Sequence, residues 1–157
     1  MNAHVDSVCK LICQNNLWKL NNLRLQKILY LAEMVHIGEN HGHGLSDARF
    51  ESWDVGPIEP SIHRKLTMFG IKPIPDVFYR ARKFKDGDPR KMTISRVCKQ
   101  TREMSDSQLV GLTHWESGAW ARRYVPGVNG LSISDEDVLA EYFQRWPADI
   151  REKETIS

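Results

Sequence analysis

A chain of 157 residues with 41% hydrophobic and 27% charged residues is sized for one globular domain that buries about two thirds of its unfolded surface. Its formal net charge of +2 and pI of about 8.5 are mild for a dedicated nucleic-acid binder. No apolar run approaches the roughly 20 residues that cross a bilayer, and MNAHVDSVCK lacks a signal-peptide core, so the expectation is a cytoplasmic protein with no membrane partner. The single domain is expected to fill residues 1–157, because no internal repeat, linker or low-complexity tract interrupts them.

Residues 4–14 read as a short amphipathic helix in which Cys9 and Cys13 lie one turn apart beside Val5, Val8 and Ile12. Together with Cys98 they are expected as buried thiols; the count excludes a four-cysteine zinc site, and a mixed site would need two histidines from elsewhere. Leu17, Trp18 and Leu20 are expected to tie the next connection to the core. A second helix follows, capped by Asn21 or Asn22, with Leu25, Ile28, Leu29, Ala32 and Val35 on one face. Gly38 is placed for the left-handed residue that ends a helix. His36, His41 and His43 then tempt a metal reading, with Glu33 or Glu39 nearby, but neither HExxH nor a cysteine pair accompanies them. A polar loop is the expectation, with no metal and no cofactor.

Residues 48–55 alternate Phe50, Trp53 and Val55 with polar or small residues, as a half-exposed strand does. Pro57 cannot donate a ladder hydrogen bond and Pro60 suits a first helical turn, so pairing is expected to stop near Gly56. A helix with the apolar stripe Ile62, Leu66 and Phe69 should follow and end at Gly70. Trp53, Asp54, Gly56 and Pro57 form an aromatic anchor beside a rigid turn, the kind of element that makes protein interfaces selective. The competing reading places Trp53 in the core.

Pro73, Pro75 and Asp86-Gly87-Asp88-Pro89 mark an irregular stretch in which Val77, Tyr79 and Phe84 suit a short strand or hairpin arm. Residues 80–102 are basic, and there Arg80, Arg82, Lys83, Lys85, Arg90 and Lys91, followed by Arg96, Lys99 and Arg102, offer an alternative function in nucleic-acid binding, with Tyr79, Phe84 and Trp120 as stacking surfaces. No helix-turn-helix pattern supports it. Ser105 to Gln108 is a capping box flanked by Met104 and Leu109, and Ser134 to Asp137 repeats its logic before a helix carrying Val138, Leu139, Tyr142, Phe143 and Trp146. Pro147 should stop that helix, leaving a polar tail over residues 149–157 that frays.

Thr113 and His114 close the helix that Ser105 opens. A catalytic dyad there lacks an orienting carboxylate beyond Glu116, so His114 is read as a helix-end side chain or a partner contact beside an aromatic residue. Trp120, with Arg122, Arg123 and Tyr124, is either a core anchor or a surface patch. No P-loop, dinucleotide turn, Gly-x-Ser-x-Gly elbow or close carboxylate pair occurs. The expectation is therefore not an enzyme; a metal-dependent enzyme using His36, His41, His43 or His114 is the weakest alternative. The fold class expected is mainly α (α+β), a compact helical domain with a small antiparallel β element built from residues 50–55 and part of 77–84.

Four segments carry a family likeness in a fixed order: LQKILYLAE, SWDVGPIEPSIH, LTHWESGAW and ISDEDV. Spread over about residues 20–143, they resemble the Panacea domain, a family of SocA- and GepA-like antitoxins of bacterial and phage toxin-antitoxin systems. Ser52 and Ile58 are mild departures from the family pattern, and residues 73–91 carry no recognised signature. The resemblance implies an antitoxin that neutralises a toxin encoded beside it by direct protein binding, with delivery of the toxin to a cellular protease as a further role in some members. It also admits operator DNA as a partner, since antitoxins can repress their own operons. The partner-binding residues expected are Trp53, Asp54, Gly56, Pro57, Thr113, His114 and Trp120.

Overall fold

A computed structural model describes residues 3–146, with side chains to Gln144. Among these residues are seven α-helices and one two-stranded antiparallel sheet, a mainly α architecture with a small β element. In chain order the elements are α1 (Val5–Asn15), α2 (Asn22–Glu39), β1 (Glu51–Trp53), β2 (Gly56–Ile58) and α3 (Pro60–Leu66). They continue through α4 (Pro89–Thr101), α5 (Asp106–Thr113), α6 (Ala119–Arg123) and α7 (Asp135–Trp146). Among the described residues no helix is long and apolar enough to cross a membrane.

Helix α2 is the axis of the fold and packs against α1, α3, α4, α5, α7 and β2. The single apolar face expected of it is too narrow a description, because every residue from Leu25 to Gly38 is buried. Its interior polar groups are met by main chain and side chains of the segments that wrap it, as where the Tyr30 hydroxyl donates to the Glu141 carboxylate at 2.9 Å. Gln26 donates to the Glu59 carbonyl (3.0 Å) and accepts from the Glu59 amide (2.9 Å). Glu33 accepts from the amides of Leu45 (2.8 Å) and Ser46 (3.3 Å), while the Ser46 hydroxyl donates to its second oxygen (3.2 Å).

Of the two expected candidates, Asn21 and Asn22, it is Asn21 that caps α2 through the Arg24 amide (2.9 Å). Gly38 does not end the helix. It lies inside the last turn beneath Tyr142, where a Cβ would stand 2.1 Å from the ring. The left-handed residues are His41 and Gly42 (φ 55° and 86°), and the Gly42 amide closes the helix end on the Ile37 carbonyl at 2.9 Å.

The β element also differs from expectation. β1 pairs with β2 across a two-residue turn, in the register Glu51 with Ile58, Ser52 with Pro57 and Trp53 with Gly56. Pairing does not stop at Gly56. Ser52 turns its amide outward to the Leu131 carbonyl (2.9 Å), so Pro57 stands in a pair that exchanges no hydrogen bonds and its missing N–H breaks no rung. Residues 77–84 contribute no strand; 77–80 form a turn whose carbonyls at Phe78 and Tyr79 accept from the buried Lys10 ammonium (3.4 Å each), and the chain beyond is irregular.

Helix α4 had no counterpart among the expected elements. Asp88 caps it, Pro89 fills its first position, and Ile94, Val97, Cys98 and Thr101 form the buried stripe. All three cysteines are buried free thiols. Leu20 is buried, whereas Leu17 is 71% exposed in a left-handed turn rather than packed on the core. The capping box of α5 forms with both reciprocal hydrogen bonds. In α7 the Ser134 hydroxyl accepts the Asp137 amide (3.1 Å), but the Asp137 carboxylate pairs with Arg123 (2.8 Å) instead of completing a box. Val138 and Tyr142 are buried and Phe143 is 61% exposed. The Trp146 side chain, Pro147 and the tail at 149–157 lie outside the described residues.

Candidate functional site

The segments bearing the expected partner-binding residues meet at the hairpin tip between β1 and β2. Three successive carbonyls of this turn are each held by a side chain from a different part of the helical scaffold. Trp120 of α6 donates its indole N–H to the Trp53 carbonyl at 2.7 Å. His114, the residue that ends α5, faces the Asp54 carbonyl with Nε2 at 3.2 Å and the Val110 carbonyl with Nδ1 at 3.0 Å. Lys27 of α2 donates its ammonium to the Val55 carbonyl. Ser52 adds a return bond, its hydroxyl donating to the Trp120 carbonyl at 2.9 Å.

Lys27 is the unusual member, because its side chain is fully buried. Burial lowers its pKa from 10.5 to about 8, since a charge surrounded by apolar side chains loses its hydration. Gly56 is what lets this lysine and His114 approach the strand. A Cβ there would stand 2.5 Å from Nζ and 2.8 Å from the imidazole Cε1, and its φ of 104° already disfavours any side chain.

Outside the clamp, Asp54 accepts from the Tyr124 hydroxyl (2.6 Å) and the Gly127 amide (3.2 Å). Those bonds, the Tyr124 hydroxyl foremost, hold its carboxyl below the usual range and raise the Tyr124 phenol. Aromatic rings continue the surface. Trp120 stacks on Tyr124 with centroids 4.5 Å apart and meets His114 edge-on at 4.6 Å. Trp53 meets His63 edge-on at 4.9 Å and donates its indole N–H to Glu51 at 2.8 Å.

Exposure separates the roles these residues can have. Asp54 and Val55 stand in solvent and Trp53, His114 and Trp120 are half-buried, so these five are available to a partner. Gly56, Pro57 and Thr113 are buried; the Thr113 hydroxyl donates to the Leu109 carbonyl (3.1 Å) inside α5. Gly56 and Pro57 shape the tip, and none of the three presents a surface. Sequence reasoning missed Lys27 and treated Tyr124 only as a flank of Trp120. The signal for Lys27 was a cation set inside the apolar run LQKILYL, where an ordinary solvated lysine has no place.

The basic stretch is partly neutralised by its own neighbours. Arg90 pairs with Asp88 (2.7 Å), Lys91 with Asp86 (3.0 Å) and Arg96 with Glu39. Arg80, Arg82, Lys83 and Lys85 are exposed. His36 is buried on α2, where burial lowers its pKa, while His41 and His43 are exposed. No group of three His, Cys, Asp or Glu side chains among the described residues is disposed to hold a metal ion.

The family described as "Antitoxin SocA-like, Panacea domain" matches residues 25–121. The chain belongs to this family. The Panacea match takes in the whole hairpin and the three side chains that hold it, beginning just before Lys27 and ending just after Trp120. Antitoxin SocA of Caulobacter vibrioides (strain NA1000 / CB15N) is 34% identical over 142 residues, covering 80% of this chain and 72% of that protein. No solved structure matches.

Proposed function

We propose that this protein is an antitoxin that neutralises a toxin by direct protein-protein binding, using the hairpin tip and the aromatic surface beside it. The observation that carries the reading is the Panacea-family membership, whose matched residues 25–121 include the hairpin and its clamp along with most of the helices. The geometry is consistent with a docking role. The tip projects two exposed residues, yet its carbonyls are immobilised by Trp120, His114 and Lys27, so little ordering entropy is lost when a partner closes over it. Aromatic groups with polar handles surround it, as at the energetic centres of many interfaces.

The toxin is the product of a neighbouring gene, and its inhibition is stoichiometric, with no chemistry performed by the antitoxin. Co-expression of the two genes tests this: growth should be rescued and a stable complex should co-purify. Val55→Arg should abolish rescue while leaving the Tm unchanged, because Val55 is 49% exposed and its carbonyl bond to Lys27 belongs to the main chain. Rescue by Val55→Arg equal to that of the wild type would move the interface away from the hairpin. Toxicity unrelieved by the wild type, with no complex formed, would end the reading.

A further inference from the structure

We infer that the basic cleft between the start of α1 and residues 77–85 binds an acidic polypeptide segment that also carries apolar side chains. The cleft encloses about 760 Å³, enough for a few side chains of an extended peptide. Its floor is apolar, with Phe78 buried and Val77, Ala81 and Phe84 packed against the core. Its rim carries Arg80, Arg82, Lys83 and Lys85, for which no carboxylate partner exists among the described residues. The two carboxylates at the cleft are already engaged, Asp6 by Lys65 at 2.6 Å and Asp88 by Arg90 at 2.7 Å. Four unneutralised cations around one concavity focus a positive potential that an anionic ligand relieves.

The aromatic groups decide between a peptide and a nucleic-acid strand. Base stacking needs an open ring face, but of the rings lining the cleft Phe78 is buried and Phe84 has Arg90 over it at 5.2 Å, while the exposed Tyr79 does not line the cleft. Phe84 is further committed to the core. What remains is an apolar floor suited to aliphatic or aromatic side chains beneath a rim suited to carboxylates. This site shares no residue with the hairpin tip, and the inference stands whether or not that tip meets a toxin.

Panning a random dodecapeptide display library against the full chain tests the inference, with rebinding to the Arg82→Glu/Lys83→Glu variant. Both side chains are exposed and make no hydrogen bond among the described residues; circular dichroism and Tm check that the fold is kept, and Lys85→Glu serves in its place if it is not. Enriched peptides should combine Asp or Glu with Leu, Ile or Phe, and their affinity should fall by roughly tenfold or more on charge reversal. It should also weaken with added salt and be unchanged in Val55→Arg. Failure to enrich acidic-apolar peptides, or binding undiminished by charge reversal, would overturn the inference. Displacement of the peptides by single-stranded DNA at lower concentration than by free peptide would assign the cleft to nucleic acid instead.

Discussion

At Gly38 a methyl group would penetrate the Tyr142 ring, since its carbon would lie 2.1 Å from the nearest ring atoms. Both groups sit in elements that pack tightly, so neither has room to yield. Gly38→Ala should cost about 3 kcal/mol through overpacking, measured as a shift in the urea midpoint with unchanged m-value. Glu33 is a second residue whose environment sets its behaviour. Burial raises its pKa from 4.5 to about 7, against the opposing pull of three hydrogen bonds from Leu45 and Ser46. The folded value lies above the unfolded one, so the native state holds the proton in this window. The stabilisation from that proton is complete below about pH 4.5 and lost as pH rises through about 7. Glu33→Gln keeps an acceptor for both amides and removes the titration. The stability difference between wild type and variant should change by about 3 kcal/mol at most between those pH limits; a difference that stays flat with pH would mean an ordinary carboxylate. Glycine at 38 and glutamate at 33 were both visible in the chain, but their neighbours Tyr142 and Ser46 were not deducible from local spacing.

Among the elements, the hairpin is the one whose stability comes from outside itself. Two three-residue strands are marginal alone, and these are held by an indole, an imidazole and an ammonium from three helical segments. Trp120→Phe keeps an aromatic ring beside Tyr124 and His114 but removes the donor to the Trp53 carbonyl. It should cost about 1–2 kcal/mol and speed amide hydrogen exchange across residues 51–58 more than elsewhere. Exchange there that matches the wild type would show the clamp to be dispensable. The starts of α5 and α7 were legible from the capping signals at Ser105 and Ser134, whereas the pairing of β1 with β2 was not. Pro57 argued against a strand until the outward turn of the Ser52 amide showed that its position needs no donor.

For the molecule as a whole, the buried ionisable groups predict an alkaline stability profile with two opposing slopes. Lys27 has a folded pKa near 8, below its unfolded value of 10.5, so the unfolded chain holds more protons between these values and stability rises with pH there. Cys13 and Cys98 are pushed up to about 12 by burial, and Cys9 also lies well above 9.0. Their protonated thiols favour the folded state below about pH 9, and that contribution is lost as pH climbs toward 12. Lys27→Met should erase the rising part and leave the falling part, read by chemical unfolding from pH 7 to 11. In the native protein all three thiols should resist alkylation until global opening, so the labelling rate at pH 8 should track the unfolding free energy. Rapid labelling of any one under native conditions would place it in a locally open region.

Local chemistry in the chain was sufficient for the mainly helical class, a cap at Asn21 or Asn22, the cap at Ser105 and the buried cysteines. Those features depend on neighbours within a few residues, where helical period and backbone donors leave few alternatives. Tertiary structure alone decided that α2 is buried on every side, that Gly38 makes room for Tyr142, and that Lys27, His114 and Trp120 converge on one turn. Such relations join side chains from separate segments through close packing, and no local spacing specifies which distant group will fill a given space.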